Sequence, residues 1–328
     1  MSGLIHAPHR QMRIEARLTG LVISVVLLWY CYRRYDSHIP LHLASLRLGV
    51  ISLVLALLTP FFSNCLVGLT FTNWQSRDTR SDHKTGIRRF KLDKFKSIRI
   101  HMGSYIYGIR HTNMGWRERE YYTKQIDKLP NHRANDGCLL MYMRLICSGK
   151  ILLTMLFVFS IATKKLYDMG ITGHYTDNTI IATMSGLVLI IIVFAEAIGC
   201  EDSDTPTIIQ AWSQAIQFRQ LNNWVLMIMV WMLRLITLVL LLFTFGASTD
   251  IFYQIPTILM AIAVSTLAGY MSMLPAGILI RGAVMIFLLY NCLTLPLNTV
   301  IFAVLVYRIC EVGVLGVCGV LSARKLPQ

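Results

Sequence analysis

Long stretches without a single charged side chain constrain this 328-residue chain more than any other feature of its sequence. Residues 48–75, 251–280 and 282–307 contain no Asp, Glu, Lys or Arg. A helix crosses the hydrocarbon core of a bilayer with about 20 apolar residues. Because backbone groups in lipid must bond within their own segment, these stretches are expected to be helices. The pattern therefore predicts an all-α polytopic membrane protein.

The charge balance is consistent with that fold class. Only 15% of the residues are charged, whereas a soluble domain carries roughly 25%. The formal net charge is +14. Lys and Arg collect on the cytoplasmic side of membrane proteins, where the leaflet is anionic. We attribute the positive charge to membrane orientation and expect no nucleic-acid partner, since no recognition motif is present.

The apolar runs and the breaks between them predict about eight transmembrane helices, some of which could be re-entrant. We expect them to form one transmembrane domain over residues 1–328. Their approximate bounds are 18–32, 48–70, 138–163, 179–200, 223–247, 251–274, 278–294 and 296–321. An even number of crossings places both termini on one side. Basic clusters near both ends predict that this side is cytoplasmic, with the protein integral to the membrane.

Residues 72–138 form a basic cytoplasmic or interfacial loop in this scheme. Fifteen of the 31 Lys and Arg residues lie between Arg77 and Arg133. Alternating basic and apolar residues over 90–100 predict a helix on the membrane surface. Residues 102–116 are weakly polar and could dip into the membrane without crossing it.

The sequence offers little for catalysis or metal binding. None of the eight cysteines forms a C-x-x-C pair, and Cys in apolar runs behaves as a small hydrophobe. No zinc-protease, phosphate-loop or serine-elbow motif is present. We expect no metal, no cofactor and no catalytic residue. An enzyme is therefore the less favoured class.

Arg281 is the sharpest candidate for a functional residue. It is the only charged residue in 251–307 and lies four residues after Gly277. Pro275 and Gly277 can end one helix and start another, whose first turn presents N–H groups and a positive dipole end. An arginine at that position is unfavourable unless an anion binds there. The alternative is that Arg281 snorkels to the headgroups.

Three further arginines fall inside apolar helices. Arg144 and Arg234 could each reach a shared polar cavity or snorkel, and the apolar surroundings of Arg234 favour a cavity. Arg308 and Glu311 are three residues apart and can form an ion pair. Such a pair could lower the insertion cost or form part of a ligand site.

The segment Leu274-Pro275-Ala276-Gly277-Ile278-Leu279-Ile280-Arg281-Gly282-Ala283 resembles the P-G-G-x-G-x-R-E-A signature of the lysylphosphatidylglycerol synthase transmembrane family. Tyr307-Arg308 is similar to a last-helix arginine of that family. Several positions depart from the signature. Gly282 replaces an acidic residue, which leaves Arg281 more available to an anionic ligand.

The resemblance implies an eight-helix flippase-like fold with re-entrant hairpins, in the cytoplasmic (inner) membrane of a bacterium or archaeon. It also implies handling of an anionic phospholipid or a polyprenyl-phosphate-linked glycan, without lipid synthesis by this chain. Self-association is compatible with the sequence.

Three functions remain open at this point. The leading hypothesis is a lipid transporter or flippase-like protein. It would bind a lipid phosphate through Arg281, Arg234, Arg144 and Arg308 near the Pro275–Gly277 break. The second is a membrane enzyme of lipid-linked glycan assembly, with candidate residues Asp36, His38, His111 and Glu118. The third is a membrane scaffold that docks a partner through the basic loop.

Overall fold

The computed structural model describes residues 7–33, 46–78, 94–110, 148–162, 185–187, 221–247, 249–272, 277–293 and 295–324. Within these ranges the regular structure is helical, and no strand occurs. The helices are α1 (Ala7–Arg33), α2 (Leu46–Asp78), α3 (Lys94–Arg110), α4 (Ser148–Ala162), α5 (Leu221–Thr244), α6 (Ile255–Met271), α7 (Ile278–Cys292) and α8 (Leu297–Arg324). A 3₁₀ turn, Thr249–Gln254, leads into α6.

Four of the described helices contain a segment long and apolar enough to cross a membrane. These segments are Val50–Thr70, Trp224–Thr244, Ile251–Gly269 and Leu297–Ser322. Leu18–Tyr30, Ser148–Ala162 and Leu279–Cys292 are apolar but shorter. Among the described residues, spans of full length are thus fewer than the predicted eight. The protein has the helices of an integral membrane protein.

The predicted helix positions agree with the structure to different degrees. The expected helices at 223–247 and 296–321 match α5 and α8 within a few residues. The first and second helices extend beyond their apolar runs, because polar residues continue α1 at its start and α2 at its end. Of the expected helix over 179–200, only residues 185–187 lie within the described ranges.

Helices α2 and α5 pack antiparallel through paired hydroxyl groups. Ser52 and Thr244 place their side-chain oxygens 2.6 Å apart, and Thr59 and Thr237 place theirs 2.5 Å apart. The two contacts are seven residues apart on each helix, and residues at this spacing lie on the same helix face. Hydroxyl groups bond across helices in this way where lipid offers no other partner.

The direction of the other helices follows from similar contacts. The Thr299 hydroxyl, near the start of α8, donates to the carbonyl oxygen of Phe245, just past the end of α5. The Tyr30 hydroxyl, near the end of α1, donates to Asn291 near the end of α7 at 3.2 Å. We call this end of the bundle the hairpin side, where α6 begins and α7 ends. The opposite end, where α1 begins and α8 ends, is the terminal side.

Helices α6 and α7 form a hairpin whose tip lies within reach of α8. The two helices pack against each other, and α7 also contacts α1 and α8. The Arg308 guanidinium, in the middle of α8, donates to the carbonyl oxygen of Gly277 at the hairpin tip, 3.4 Å away. The tip therefore lies beside the centre of α8, although Ile251–Gly269 is long enough to cross a bilayer.

Helix α3 covers part of the predicted surface helix over 90–100 and packs against α2 and α8. Ser97 donates to the Gly68 carbonyl oxygen at 2.6 Å, and His101 Nε2 lies 3.1 Å from Asn64 Oδ1. Ser97 and His101 are buried, whereas Lys94, Lys96 and Arg99 are exposed. Residues 102–110 continue this helix, and 111–116 lie outside the described residues.

Candidate functional site

Buried arginines from three helices lie at the same depth in the bundle. Arg234 is at the centre of the Trp224–Thr244 span, about 15 Å from either end. Arg281 lies about 16 Å from the Cys292 end of α7, and Arg308 about 16 Å from the Leu297 end of α8. All three distances are measured from the hairpin side. They correspond to about half of a 30 Å hydrocarbon core.

Glu311 joins two of these arginines. Its Oε1 lies 3.0 Å from Arg281 Nη1, and its Oε2 forms an ion pair with Arg308 Nη1. The exposed fraction is 7% for Arg234, 9% for Arg281, 7% for Arg308 and 5% for Glu311. The charges are thus nearly removed from solvent. We call these four residues the arginine cluster.

The Arg281–Glu311 contact corrects one expectation from the sequence. Gly282 stands where an acidic residue is usual in the resembling signature, so Arg281 was expected to lack that partner. The structure supplies a carboxylate from α8 instead. Arg281 also donates through Nη2 to the Thr266 hydroxyl on α6 at 3.3 Å. Its side chain is buried among protein groups and does not snorkel to a surface.

Two glycines allow the Arg281 side chain to pass through the hairpin. Gly277 precedes α7 with φ +58°, a left-handed conformation that favours glycine. A Cβ at Gly277 would lie 2.8 Å from Arg281 Cδ and 2.9 Å from Gly269 Cα. A Cβ at Gly269 would overlap Arg281 Cγ and Cδ. The absence of both side chains therefore positions the guanidinium beside α8.

Arg234 differs from the other two arginines. Its guanidinium lies over the Trp231 ring, 5.5 Å from the ring centroid. Its Nη1 is buried and has no hydrogen-bond partner among the described residues. It lies close enough to Glu311 for an electrostatic interaction. A buried unpaired donor on a charged group costs free energy, and a functional role is the usual reason for retaining one.

The start of α7 adds donors of another kind. Gly277 is the N-cap residue and supplies no side-chain hydrogen bond to the first turn. The first N–H groups of a helix lack partners within the helix and carry its positive dipole end. Together with the guanidinium groups, they favour negative charge at the hairpin tip.

The structure brings together Arg234, Arg281, Arg308 and Gly277 from the predicted set. Arg144 and Pro275 lie outside the described residues, and so do Asp36, His38, His111 and Glu118, the candidates of the enzyme hypothesis. Arg308 and Glu311 do form an ion pair. No group of three or more His, Cys, Asp or Glu side chains that could hold a metal ion occurs within the described ranges.

Sequence reasoning missed Thr266, Gly269 and the role of Trp231. Thr266 and Gly269 lie three residues apart on α6, and Ser272 follows at the same spacing just past its end, so small side chains share one helix face. That stripe was visible in the sequence and indicates a close-packed neighbour. The neighbour itself, α7, could not be identified from the spacing alone.

Comparisons with known proteins assign no family to the chain. No family model, no curated protein and no solved structure matches it. The arginine cluster is therefore interpreted below from its own geometry and chemistry.

Proposed function

We propose that the protein is a lipid transporter of the flippase-like kind, which binds the phosphate of an anionic lipid at the arginine cluster. The observation that carries this proposal is Arg234, a buried arginine at mid-span whose Nη1 has no hydrogen-bond partner among the described residues. Each arginine at a helix centre costs about 2.5–3.5 kcal/mol on insertion scales. A function that needs this charge explains why the cost is tolerated.

The hairpin supports the same proposal. In a bilayer whose core spans α5 and α8, α6 and α7 would enter from the hairpin side and turn back inside the bundle, with Gly277 about 22 Å from the Cys292 end of α7. Such re-entrant elements are tolerated where protein covers their ends. Half-helices that start at mid-membrane point their positive dipole ends at anionic substrate groups in transporters. The resemblance of 274–283 to the lysylphosphatidylglycerol synthase transmembrane family agrees with this arrangement.

The orientation is part of the proposal. Exposed Lys94, Lys96 and Arg99 lie near the terminal side, because Ser97 bonds to the Gly68 carbonyl near the end of the α2 span. By the positive-inside rule, the terminal side is cytoplasmic and the hairpin side faces outward. Cysteine variants at Arg33 and Lys96 test this in intact cells. An impermeant thiol reagent should label Arg33→Cys only, and labelling of Lys96→Cys alone would reverse the orientation.

The function is tested in liposomes that contain fluorescent phosphatidylglycerol or fluorescent phosphatidylcholine. The purified protein should speed movement of the anionic lipid between leaflets. Replacing Arg234 by Met keeps much of the side-chain volume and removes the buried charge. We expect Arg234→Met to abolish this movement while the free energy of unfolding stays equal or rises, because its Nη1 loses no hydrogen bond to the described residues.

The matched control is Arg33→Met, an exposed arginine at the end of α1 that lies over the Trp29 ring. It should leave lipid movement unchanged. Wild-type movement in Arg234→Met would contradict the site assignment. If the wild-type protein moved neither lipid, and bound no anionic lipid, the transporter proposal would be refuted.

A further inference from the structure

Tyr307 brings a phenol ring to the depth of the arginine cluster. It lies about 15 Å along α8 from the start of that helix, and Arg234 lies about 15 Å from the end of the α5 span. Thr299, near the start of α8, bonds to Phe245, just past the end of α5. Both distances are therefore measured from the hairpin side, and the two side chains lie at one depth.

The Tyr307 side chain is enclosed by the bundle. Its exposed fraction is 3%, and it belongs to the same buried core as Trp231. It lies close enough to all four residues of the arginine cluster for electrostatic interaction. Because Tyr307 and Glu311 are four residues apart on α8, they share one face of the helix. The phenol is thus on the side of α8 that carries the cluster.

The Tyr307 hydroxyl forms no hydrogen bond with a described residue. A buried phenol usually donates its O–H to a partner. A buried hydroxyl nearby follows that rule, since Thr237 on α5 bonds to Thr59 and to the carbonyl oxygen of Leu233. Helices α5 and α8 are in contact, and Arg234 on α5 has its own unbonded donor among the described residues. One neutral and one charged donor therefore stand ready at the same depth on two packed helices.

We propose that Tyr307 is a second ligand-binding residue, which donates its hydroxyl hydrogen to the lipid phosphate that Arg234 contacts. This inference rests on the proposed function and adds a residue from α8 to its site. Tyrosine hydroxyls and arginine guanidinium groups both donate to the phosphodiester oxygens of nucleic acids. The phosphodiester of a phospholipid offers acceptors of the same kind.

Aromatic packing holds both donors in place before a ligand arrives. The Arg234 guanidinium lies over the Trp231 ring, and core side chains surround the Tyr307 ring. Binding therefore orders few additional rotamers, which favours affinity. A phenol also supplies its donor without a charge, whereas a further arginine at this depth would add to the cost of insertion.

Removal of one oxygen atom tests the inference. We would measure the dissociation constant of phosphatidylglycerol for the full chain in nanodiscs of phosphatidylcholine. Tyr307→Phe should weaken binding by at least about tenfold, because a hydrogen bond to a charged group is lost. Its SDS unfolding midpoint in mixed micelles should stay at the wild-type value, since the hydroxyl bonds to no described residue. Wild-type affinity in Tyr307→Phe would overturn the inference.

Two other tyrosines provide matched controls. Tyr253 is 77% exposed, so Tyr253→Phe should change neither affinity nor stability. The Tyr30 hydroxyl donates to Asn291, so Tyr30→Phe should lower the unfolding midpoint and leave the affinity unchanged. If Tyr307→Phe behaved like Tyr30→Phe, the role of its hydroxyl would be structural and the inference would be overturned.

A double-mutant cycle tests whether Tyr307 and Arg234 contact the same phosphate. Residues that share a partner give losses that do not add. The combined Arg234→Met and Tyr307→Phe variant should therefore lose less affinity than the product of the two separate factors. Independent losses would overturn the shared contact. Absence of phosphatidylglycerol binding by the wild-type protein would instead overturn the proposed function, which separates that failure from a failure of Tyr307 alone.

Inorganic phosphate identifies the source of the recognised group, because it lacks acyl chains. If it displaced phosphatidylglycerol from the wild-type protein at submillimolar concentration, the ligand would be a soluble phosphate and the lipid assignment would be wrong. We expect no displacement in that range, since burial of acyl chains also contributes to lipid binding.

Discussion

Replacement of Gly269 by alanine should disturb the arginine cluster without removing any charge. The new Cβ would overlap the Cγ and Cδ atoms of Arg281, whose guanidinium is held by Glu311 and Thr266. Overpacking of this kind costs about 1–3 kcal/mol. The alternative relief is a displaced Arg281, which breaks a buried ion pair at about 3–5 kcal/mol. We therefore expect a loss of about 1–3 kcal/mol in the free energy of unfolding.

Three other glycines provide the controls for this prediction. Gly282 lies next to Arg281 on α7, and a Cβ there meets no atom of the described residues within 4 Å. Gly246 has a positive φ of 101°, and a Cβ there likewise meets no described atom within 4 Å. Gly277 combines a positive φ with close contacts. A left-handed conformation costs about 1–2 kcal/mol for a residue with a Cβ.

These four alanine variants separate crowding from backbone strain. Gly277→Ala should be the most destabilised, at about 2–5 kcal/mol from both terms together. Gly246→Ala should lose about 1–2 kcal/mol and keep lipid binding. Gly282→Ala should gain up to about 1 kcal/mol, as alanine does in a helix.

The assay is unfolding in mixed micelles with increasing SDS, followed by binding of phosphatidylglycerol in nanodiscs. Gly269→Ala should lose both stability and binding, whereas Gly246→Ala should lose stability alone. If Gly269→Ala behaved like Gly282→Ala in both measurements, Arg281 would not pass between the two glycines. The account of the hairpin tip would then be refuted.

Three further predictions concern the packing around the site. Glu311→Ala should lower the free energy of unfolding by about 3–5 kcal/mol, because it removes the carboxylate that Arg281 and Arg308 share. Arg308→Ala removes one of these two ion pairs and should lower it by less, as measured by SDS unfolding in mixed micelles. A larger loss for Arg308→Ala would contradict this ranking. Thr59→Val and Thr237→Val should each lower the free energy of unfolding, and a double-mutant cycle should give a coupling energy of about 0.6 kcal/mol between them. If the two losses were additive, the hydroxyl contact would contribute nothing to stability. Gly68→Ala would place a Cβ 3.0 Å from the backbone of α3 and should loosen its packing against α2, so limited proteolysis of the basic loop should become faster. An unchanged proteolysis rate would contradict the contact between α3 and α2.

Much of the architecture could be predicted from the sequence, because uncharged runs leave few alternatives in lipid. The bounds of α5 and α8 follow from long apolar runs that contain only one or two internal charges each. The run over 251–274 could not be distinguished from a crossing, since its length and composition suit one. The structure adds that α6 packs against α7, where Arg281 donates to Thr266, and that Arg308 of α8 donates to Gly277 before α7. The length of an apolar helix shows whether it could cross a bilayer, but not how deeply it lies in the bundle.

The candidate site was partly predictable for a related reason. Arg281 and Arg234 were identifiable because a charge in an apolar run requires compensation. The partner of Arg281 was not identifiable, since Glu311 is 30 residues away in sequence and on another helix. The spacing of Arg308 and Glu311 indicated a pair within one helix. The structure adds that the same carboxylate serves two helices, which no local spacing reveals.

The shared carboxylate also sets an order for biogenesis. Arg281 belongs to α7, but the glutamate that compensates it belongs to α8, which the ribosome makes later. Until α8 emerges, α7 presents an apolar helix of 15 residues with an arginine near its start that has not yet met Glu311. Such a segment is too short to span the bilayer and is disfavoured by about 2.5–3.5 kcal/mol for the arginine. The hairpin is therefore expected to settle into the membrane only after α8 has been inserted, so a chain truncated before Leu297 should leave it exposed to cellular proteases.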